Sequence, residues 1–264
     1  MKTVLITGAS SGIGYELTRL FAEDQYHLVL VARNKENLTR LAGELKQKYG
    51  TPATIIPKDL SLPLSPAEIF IELQQKSIFV DVLVNNAGFA TYGRFAETNI
   101  TDELEMIQVN VTSLVHLTKL FVKEMLRKGE GKILNVASTA AFQPGPLMAV
   151  YYATKAFVLS FSEALSEELR GTAVTVTCLC PGATQTDFQK RAGLGDVRLF
   201  RAGTLSARAV AEAGYRGLVK NQRIVIPSFA SQLFAFLVRL GPRSWVTRIV
   251  KFLQEKLKGG EEKI

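Results

Sequence analysis

The sequence predicts a single-domain α/β fold in which a doubly wound parallel sheet carries helices on both faces. Short β-branched runs alternate with longer amphipathic segments, and some runs are apolar throughout, as in Leu28-Val29-Leu30-Val31. Strands of that kind are buried on both faces. Their alternation with helices indicates right-handed βαβ crossovers. The ligand site of such a sheet lies at the carboxyl ends of its strands.

The elements alternate regularly from the first residues onward. The β-branched runs predict strands at 2–7, 27–32, 53–57, 80–85, 131–137, 173–179 and 223–226. The amphipathic segments predict helices at 12–24, 34–49, 65–76, 101–128, 150–170 and 206–220. We expect a catalytic domain over 1–227, with a cofactor half over 1–130 and a catalytic and substrate half over 131–227. Residues 228–264 are expected to form a basic, amphipathic, helical extension.

Length and composition are those of a soluble globular protein. The chain has 264 residues, of which 47% are hydrophobic and 21% charged, which is ordinary for such a domain. The uncharged stretch 224–238 has 15 residues and falls short of the roughly 20 that cross a bilayer. The first apolar run leads straight into glycines, so we interpret it as a strand and not as a signal peptide.

The two cysteines, Cys178 and Cys180, are two positions apart on one predicted strand. Their side chains point the same way, so a disulfide between them would be badly strained. Without nearby histidines they also make a poor metal site, and we expect no metal. Two reduced core residues indicate a cytoplasmic location, where thiols stay reduced.

A glycine-rich turn, Gly8-Ala9-Ser10-Ser11-Gly12-Ile13-Gly14, follows the first strand and opens the first helix. Glycine allows positive φ angles, lets the backbone approach a pyrophosphate, and lets the helix pack closely on the strand. The free N–H groups at the helix start then face the phosphates. Because a strand precedes the turn and a helix follows it, the turn predicts phosphate binding on a Rossmann-type fold.

Three sets of residues together resemble the short-chain dehydrogenase/reductase family over roughly residues 1–190. They are the Gly-x-x-x-Gly-x-Gly spacing of the turn, Asn85-Asn86-Ala87-Gly88 after the fourth strand, and the spacing of Ser138, Tyr151 and Lys155. The resemblance implies hydride transfer between a nicotinamide dinucleotide and a small carbonyl or alcohol substrate. It also implies a homodimer or homotetramer, assembled through helices 101–128 and 150–170.

The resemblance assigns a set of residues to the cofactor. Asp59, in Lys58-Asp59-Leu60, matches the residue that contacts the adenine ring, and the segment 86–88 borders the adenine ribose. The loop 181–186 matches the one around the nicotinamide carboxamide, with Thr186 as its hydroxyl contact, and Lys155 holds the nicotinamide ribose. The expected cofactor set is Gly8, Ser10, Ser11, Gly12, Ile13, Gly14, Arg33, Asp59, Leu60, Asn86, Ala87, Gly88, Tyr151, Lys155, Pro181, Gly182, Thr184 and Thr186.

The end of the second strand predicts NADP(H) as the cofactor, with NAD(H) as the alternative. An NAD site commonly ends this strand with an acidic residue for the ribose 2′-hydroxyl, whereas an arginine accommodates a 2′-phosphate. Here the strand ends Val31-Ala32-Arg33-Asn34, without a carboxylate. A charge-assisted bond from Arg33 would contribute roughly 1.5–3 kcal/mol. The glycine turn lacks the second basic residue of some NADP-specific relatives.

Tyr151, Lys155 and Ser138 are the expected catalytic residues. Hydride transfer to a ketone leaves an alkoxide that needs a proton, and a tyrosine with a pKa of about 10 is a sluggish acid near neutrality. Lys155 lies one helical turn after Tyr151, where its charge would lower that pKa. Ser138 follows the fifth strand, so its hydroxyl can orient the carbonyl. Tyr152 is the competitor at i and i+3, but the family spacing favours Tyr151.

Asn110 completes the catalytic set by resemblance. It lies inside the long helix predicted at 101–128, where asparagine is mildly unfavourable. Its family counterpart kinks that helix and holds a water that relays protons to the lysine.

Substrate choice is expected in the segment 187–205, which is rich in glycine and could form a lid. We expect a ketone or aldehyde with an apolar chain, similar to 3-ketoacyl or steroid-type substrates. The residues that could line such a pocket, or equally pack on the core, are Phe188, Leu194, Val197, Leu199 and Phe200.

The C-terminal extension concentrates the positive charge. From Lys220 onward there are nine Lys/Arg and three Glu, a net +6 out of the chain's +8. Two amphipathic pieces, 229–240 and 244–257, combine aromatic with basic residues. Such helices can lie on an anionic membrane surface. Alternatively, they cap the substrate cleft or form an oligomer interface while their basic side chains are solvated.

Other functions fit the sequence less well. No recognised nucleic-acid-binding motif accompanies the basic tail, so we expect no nucleic-acid partner. A dinucleotide-dependent regulator would not need Ser138, Tyr151 and Lys155. The glycine spacing and the short C-terminal portion disfavour an epimerase or dehydratase of the superfamily's extended branch. The sequence therefore predicts an NADP(H)-dependent carbonyl reductase or alcohol dehydrogenase.

Overall fold

The computed structural model of the chain describes residues 1–194, 197–198 and 203–255. The strands are β1 (Thr3–Thr7), β2 (His27–Ala32), β3 (Ala53–Pro57), β4 (Val82–Asn85), β5 (Gly131–Val136), β6 (Val174–Leu179), β7 (Thr184–Gln185), β8 (Leu205–Ser206) and β9 (Ile224–Val225). The α-helices are α1 (Gly12–Glu23), α2 (Lys35–Tyr49), α3 (Ser65–Gln75), α4 (Ile100–Ile107), α5 (Leu114–Lys128), α6 (Ala149–Glu168), α7 (Asp187–Arg191), α8 (Ala207–Val219), α9 (Phe229–Leu240) and α10 (Arg243–Gln254).

Seven of the strands form one sheet in the order β3-β2-β1-β4-β5-β6-β9, and each neighbouring pair is parallel. The doubly wound parallel sheet predicted from the sequence is therefore confirmed. The strand order reverses between β1 and β4, which is where a ligand crevice opens in such a sheet. β7 and β8 form a separate two-stranded pair.

The two faces of the sheet pack on different helices. Along β1, Val4 and Ile6 lie in one core cluster with Phe21 of α1. Leu5 points the other way and lies in a second cluster with Phe121 of α5. Side chains alternate across a strand, so an all-apolar strand has buried residues on both faces.

The helix predicted at 101–128 is interrupted. A π-helical turn, Gln108–Ser113, separates α4 from α5 and contains the buried Asn110. Turns of this kind arise where a side chain competes with the regular backbone hydrogen bonds, often at functional sites. The helix is thus interrupted at the position where the family resemblance implied a kink.

The C-terminal helices pack beside α6. Val246 and Val250 of α10 share a core cluster with Tyr151 of α6, and Phe234 and Val238 of α9 pack against it. The last two residues of the predicted piece 244–257 lie outside the described residues. Within the part of the chain that the structure describes, no helix has the length and hydropathy needed to cross a membrane.

Candidate active site

A cavity of about 640 Å³ lies at the carboxyl ends of the central strands. It is lined by residues that follow β1, β2, β3, β4, β5 and β6, together with residues of α6, α7 and α10. All of the predicted site residues line it except Gly14 and Asn110, which lie behind its wall. The sheet therefore brings residues that are as far apart in sequence as Gly8 and Thr186 to the wall of one cavity.

The glycine turn forms a cradle at one end of the cavity. Gly8 and Gly12 have φ angles of +65° and +57°, a conformation that favours glycine. Gly14 packs directly against two neighbours: a Cβ at this position would overlap the carbonyl oxygen of Gly8 and the side-chain amide of Asn86. Ser11 at the start of α1 makes no side-chain cap. The first N–H groups of the helix are thus available, and the cradle fits a pyrophosphate.

Thr7 ties the ends of β1 and β4 together. Its hydroxyl oxygen accepts hydrogen bonds from the backbone N–H groups of Asn86 and Ala87, each at 3.0 Å. The Asn86 side-chain amide donates to the Thr7 carbonyl at 2.9 Å. Thr7 is a positioning residue that the motif analysis did not include.

The end of β2 places positive charge beside the cradle. Arg33 is exposed, lines the cavity, and has no acidic partner within ion-pair distance among the described residues. A smaller hollow of about 380 Å³ shares Ser10 and Asn37 with the cavity and adds Arg40 of α2. Arg40 also lies 3.9 Å from Glu44, which lines the same hollow. Asp59 accepts a hydrogen bond from the Ser61 N–H at 3.0 Å, which shapes the loop after β3.

The loop that follows β6 closes the cavity against the cradle. The Thr184 hydroxyl donates to the Gly182 carbonyl at 2.9 Å, and the Thr186 hydroxyl accepts from the Phe188 N–H at 3.3 Å. A Cβ on Gly12 would lie 3.2 Å from the Thr186 methyl group. The loop predicted to hold the carboxamide thus meets the glycine turn directly.

Tyr151 and Lys155 lie on one face of α6, both buried. Lys155 Nζ is 5.8 Å from the centre of the Tyr151 ring and donates to the Val136 carbonyl at 2.9 Å. Burial lowers the pKa of Lys155 to about 8. Burial also raises the pKa of Tyr151, while a hydrogen bond with Ser138 acts in the opposite direction. In the protein alone, desolvation outweighs the expected lowering of the tyrosine pKa.

Ser138 lies between the tyrosine and the loop after β6. It begins a short 3₁₀ turn, Thr139–Phe142, and its oxygen accepts from the Ala140 N–H at 3.1 Å. Its hydroxyl is also 3.3 Å from the Pro181 carbonyl, to which it donates. These bonds hold the hydroxyl at the carboxyl end of β5, beside Tyr151.

Asn110 supports the site from behind. Its amide donates to the Phe89 carbonyl at 3.0 Å and to the Thr154 hydroxyl at 3.1 Å, and its oxygen accepts from the Phe89 N–H at 3.2 Å. A Cβ on Gly88 would lie 2.9 Å from the Asn110 oxygen and 3.5 Å from Lys155 Nζ. The asparagine and the lysine therefore approach the same glycine.

The substrate end of the cavity contains residues that the motifs did not identify. Gln254 of α10 is buried and donates from its side-chain amide to the Tyr152 hydroxyl, while its side-chain Oε1 has no partner among the described residues. Burial raises the pKa of Tyr152 to about 12. Phe188 and Leu194 line the cavity as predicted. Val197 is buried in the neighbouring cluster, and the other two predicted residues, Leu199 and Phe200, lie outside the described residues.

A cavity that joins a glycine-rich cradle to a buried tyrosine and lysine is typical of a nucleotide-dependent oxidoreductase. Residues 2–195 match the family model described as short chain dehydrogenase, and the chain belongs to the short-chain dehydrogenase/reductase family. Within the described residues, no cluster of side chains could hold a metal ion.

Known proteins resemble the chain over most of its length. Ketoacyl reductase HetN of Nostoc sp. is 32% identical over 222 residues, 84% of this chain and 76% of that one. A short-chain dehydrogenase from Sphingobium yanoikuyae, solved in complex with NADPH, has a TM-score of 0.82 and 31% identity, covering 98% of this chain and 100% of that one. A short-chain dehydrogenase/reductase from Burkholderia phymatum, solved in complex with NAD, has a TM-score of 0.81 and 25% identity, covering 98% of both chains.

Proposed function

We propose that the protein is an NADP(H)-dependent oxidoreductase that interconverts a carbonyl and an alcohol, with Tyr151 as the acid/base. One observation carries the proposal: Ser138, Tyr151 and Lys155 meet on one wall of the cavity that also contains the glycine cradle. A protein that only senses a dinucleotide has no need of a buried phenol and a buried ammonium group side by side.

The bound nicotinamide would supply or accept the hydride. The Ser138 hydroxyl rotates from the Pro181 carbonyl to the substrate oxygen, donates a hydrogen bond to it and orients it. Tyr151 transfers its proton to that oxygen as negative charge develops there. Lys155 lies close enough to stabilise the resulting phenolate. Asn110 holds the backbone beside the lysine and positions it.

The cofactor is NADP(H). Arg33 and Arg40 support a 2′-phosphate site beside Ser10, and β2 ends without a carboxylate. The NADPH complex of the Sphingobium relative is consistent with this preference. NAD(H) is the alternative, since the Burkholderia relative was solved with NAD.

The substrate is a ketone or aldehyde with an apolar chain. Ala90, Met148, Phe188 and Leu194 give the cavity an apolar wall beside Tyr151. The ketoacyl reductase activity in the name of the Nostoc relative agrees with this class. Gln254 adds one polar position to this wall.

The test is NADPH oxidation by the purified protein with aldehydes, ketones and 3-ketoacyl thioesters, comparing Tyr151→Phe with Tyr152→Phe. Both variants remove one hydroxyl from the same cavity wall. We expect Tyr151→Phe to lose roughly 10²- to 10⁴-fold in kcat with unchanged NADPH affinity, and Tyr152→Phe to keep most of its kcat. Equal losses in both would contradict the role of Tyr151. NADPH binding without any turnover would favour a dinucleotide-binding regulator.

We place the enzyme in the cytoplasm as a homodimer or homotetramer. Both cysteine thiols are free and buried, in keeping with a reducing compartment. Leu104 and Ile107 of α4 and Phe157 of α6 are exposed, so these helices offer an apolar contact face. Sedimentation velocity of the wild type and of the Phe157→Asp variant tests the assembly. A monomeric mass for both proteins would contradict it.

A further inference from the structure

The helices α9 and α10 each carry two apolar faces. The inner face of α10 presents Val246, Val250 and Gln254, which are four positions apart and buried beside the active site. On α9, Ala235 is buried and Phe234 packs against the same cluster. The apolar residues of the inner faces are therefore explained by their packing on the cluster around Tyr151.

The outer faces have no cover among the described residues. Eight large apolar side chains on these two helices are between 47% and 78% exposed. Their spacing of three and four positions places them on one side of each helix. Soluble proteins rarely expose an apolar surface of this kind without a partner. The outer-face residues are Phe229, Leu233, Phe236, Leu237 and Leu240 of α9 and Trp245, Ile249 and Phe252 of α10.

Positive charge accompanies this apolar surface. Arg239, Arg243, Arg248 and Lys251 are exposed on the same two helices. Arg198 lies 4.1 Å from the centre of the Phe252 ring but is paired with Glu255 at 3.6 Å. The sequence contains no Asp or Glu from 213 to 254. A partner that covers the outer faces must therefore be both apolar and anionic.

We propose that the outer faces of α9 and α10 dock on the surface of an anionic lipid bilayer. Acyl chains accommodate the apolar side chains, and anionic headgroups pair with the cations. Trp245 is suited to the boundary between the two. A second copy of the chain fits less well, because a two-fold contact would bring four cations against the same four cations. Docking of these helices does not depend on the proposed reaction.

Docking on a bilayer would have a consequence for the cavity. The helix that faces the lipid with Trp245 and Phe252 faces the cavity with Gln254. Only the thickness of α10 separates the bilayer from the substrate end. Bilayer docking thus suits an enzyme whose substrate dissolves in lipid.

The chain contains a single tryptophan, Trp245, so its fluorescence reports on the outer face of α10 alone. The experiment adds vesicles of phosphatidylcholine, or of phosphatidylcholine with phosphatidylserine, to the full chain. With the anionic vesicles we expect a shift of emission to shorter wavelength, quenching by lipids with brominated acyl chains, and cosedimentation. Absence of quenching and of cosedimentation would overturn the proposal. A shift that grows with protein concentration without lipid would show that a second copy covers the face.

Three variants, each with three substitutions, test whether this surface binds the vesicles. We expect Phe236→Gln/Leu240→Gln/Phe252→Gln to lower the partition coefficient at least about tenfold, through the lost apolar burial. Arg239→Gln/Arg243→Gln/Arg248→Gln should lower it by roughly fivefold per cation removed. The control Leu62→Gln/Leu64→Gln/Ile71→Gln changes apolar residues that are equally exposed elsewhere and should bind like the wild type. An equal loss in the control would overturn the assignment.

Discussion

Lys155 donates a hydrogen bond from Nζ to the carbonyl oxygen of Val136, 2.9 Å away, and so joins the catalytic helix α6 to the end of β5. Lys155 is 5% exposed, and the acceptor of its ammonium group is a neutral backbone carbonyl. A buried cation without a carboxylate partner favours its neutral form, which explains why the pKa of Lys155 falls from 10.5 to about 8.

The lowered pKa of Lys155 predicts a pH dependence of stability. The folded-state value of about 8 lies below the unfolded value of 10.5, so the unfolded chain binds more protons in between, and stability rises with pH there. Relative to Lys155→Met, the wild type should gain on the order of 2 kcal/mol from pH 8 to pH 10. Urea unfolding of both proteins at pH 7, 8, 9 and 10 measures this. A difference that stays constant with pH would contradict it.

Arg33→Ala is expected to weaken NADPH binding roughly 10- to 100-fold, because it removes a charge-assisted bond to the 2′-phosphate. NADH affinity should change less than about threefold, since that cofactor has no 2′-phosphate. Fluorescence titration with both cofactors measures the two affinities. Arg40→Ala serves as the comparison and should give a smaller loss in the same direction. Equal losses of NADPH and NADH affinity in Arg33→Ala would show that the arginine does not bind the 2′-phosphate.

Gly14 and Gly43 form a matched pair of helical glycines. A methyl group at position 14 would overlap the Gly8 carbonyl and the Asn86 amide, whereas position 43 has open space around it. Gly14→Ala should therefore lose both stability and dinucleotide affinity, because the cradle must open. Gly43→Ala should gain about 0.5–1 kcal/mol, since alanine favours the helix. Thermal unfolding with and without NADPH distinguishes the two, and a stable Gly14→Ala that binds NADPH normally would contradict the packing role.

Gln254→Leu is expected to change substrate preference more than turnover. The side-chain oxygen of Gln254 is buried in the cavity wall without a partner among the described residues, so a substrate hydroxyl or N–H can donate a hydrogen bond to it. The variant should raise KM about tenfold or more for a ketone with such a donor, and leave KM for its deoxy analogue nearly unchanged. Steady-state kinetics with matched ketone pairs measures both. A fall in kcat that is equal for both ketones would indicate a merely structural role for Gln254.

The parts of the site that follow from the sequence are those encoded by local patterns. Gly8, Gly12 and Gly14 are recognised because a strand–turn–helix unit leaves few other residues that fit its backbone. Tyr151 and Lys155 are recognised because a spacing of four places them on one helical face, and the family spacing from Ser138 favours Tyr151 over Tyr152. Both patterns span only a few residues, so no distant contact is needed to interpret them.

Other properties depend on contacts between residues far apart in sequence. The pKa directions of Tyr151 and Lys155 follow from their burial, which the Tyr–Lys spacing does not specify. Gln254 meets Tyr152 across 102 positions, and no motif includes it. The sequence of the amphipathic tail left open whether its helices cap the cleft or face a partner. The packing answers the first part, because the inner faces of α9 and α10 cover the cluster around Tyr151.

The sequence by itself predicted the alternation of the main strands and helices, the phosphate cradle, and the tyrosine–lysine pair that we propose for proton transfer. Each depends on backbone conformation or periodicity within one element. Only the tertiary structure decided which side chains lose water, which polar atoms remain unpaired, and which apolar faces stay exposed. These depend on how all elements pack together, since desolvation is a property of the surroundings and not of the residue.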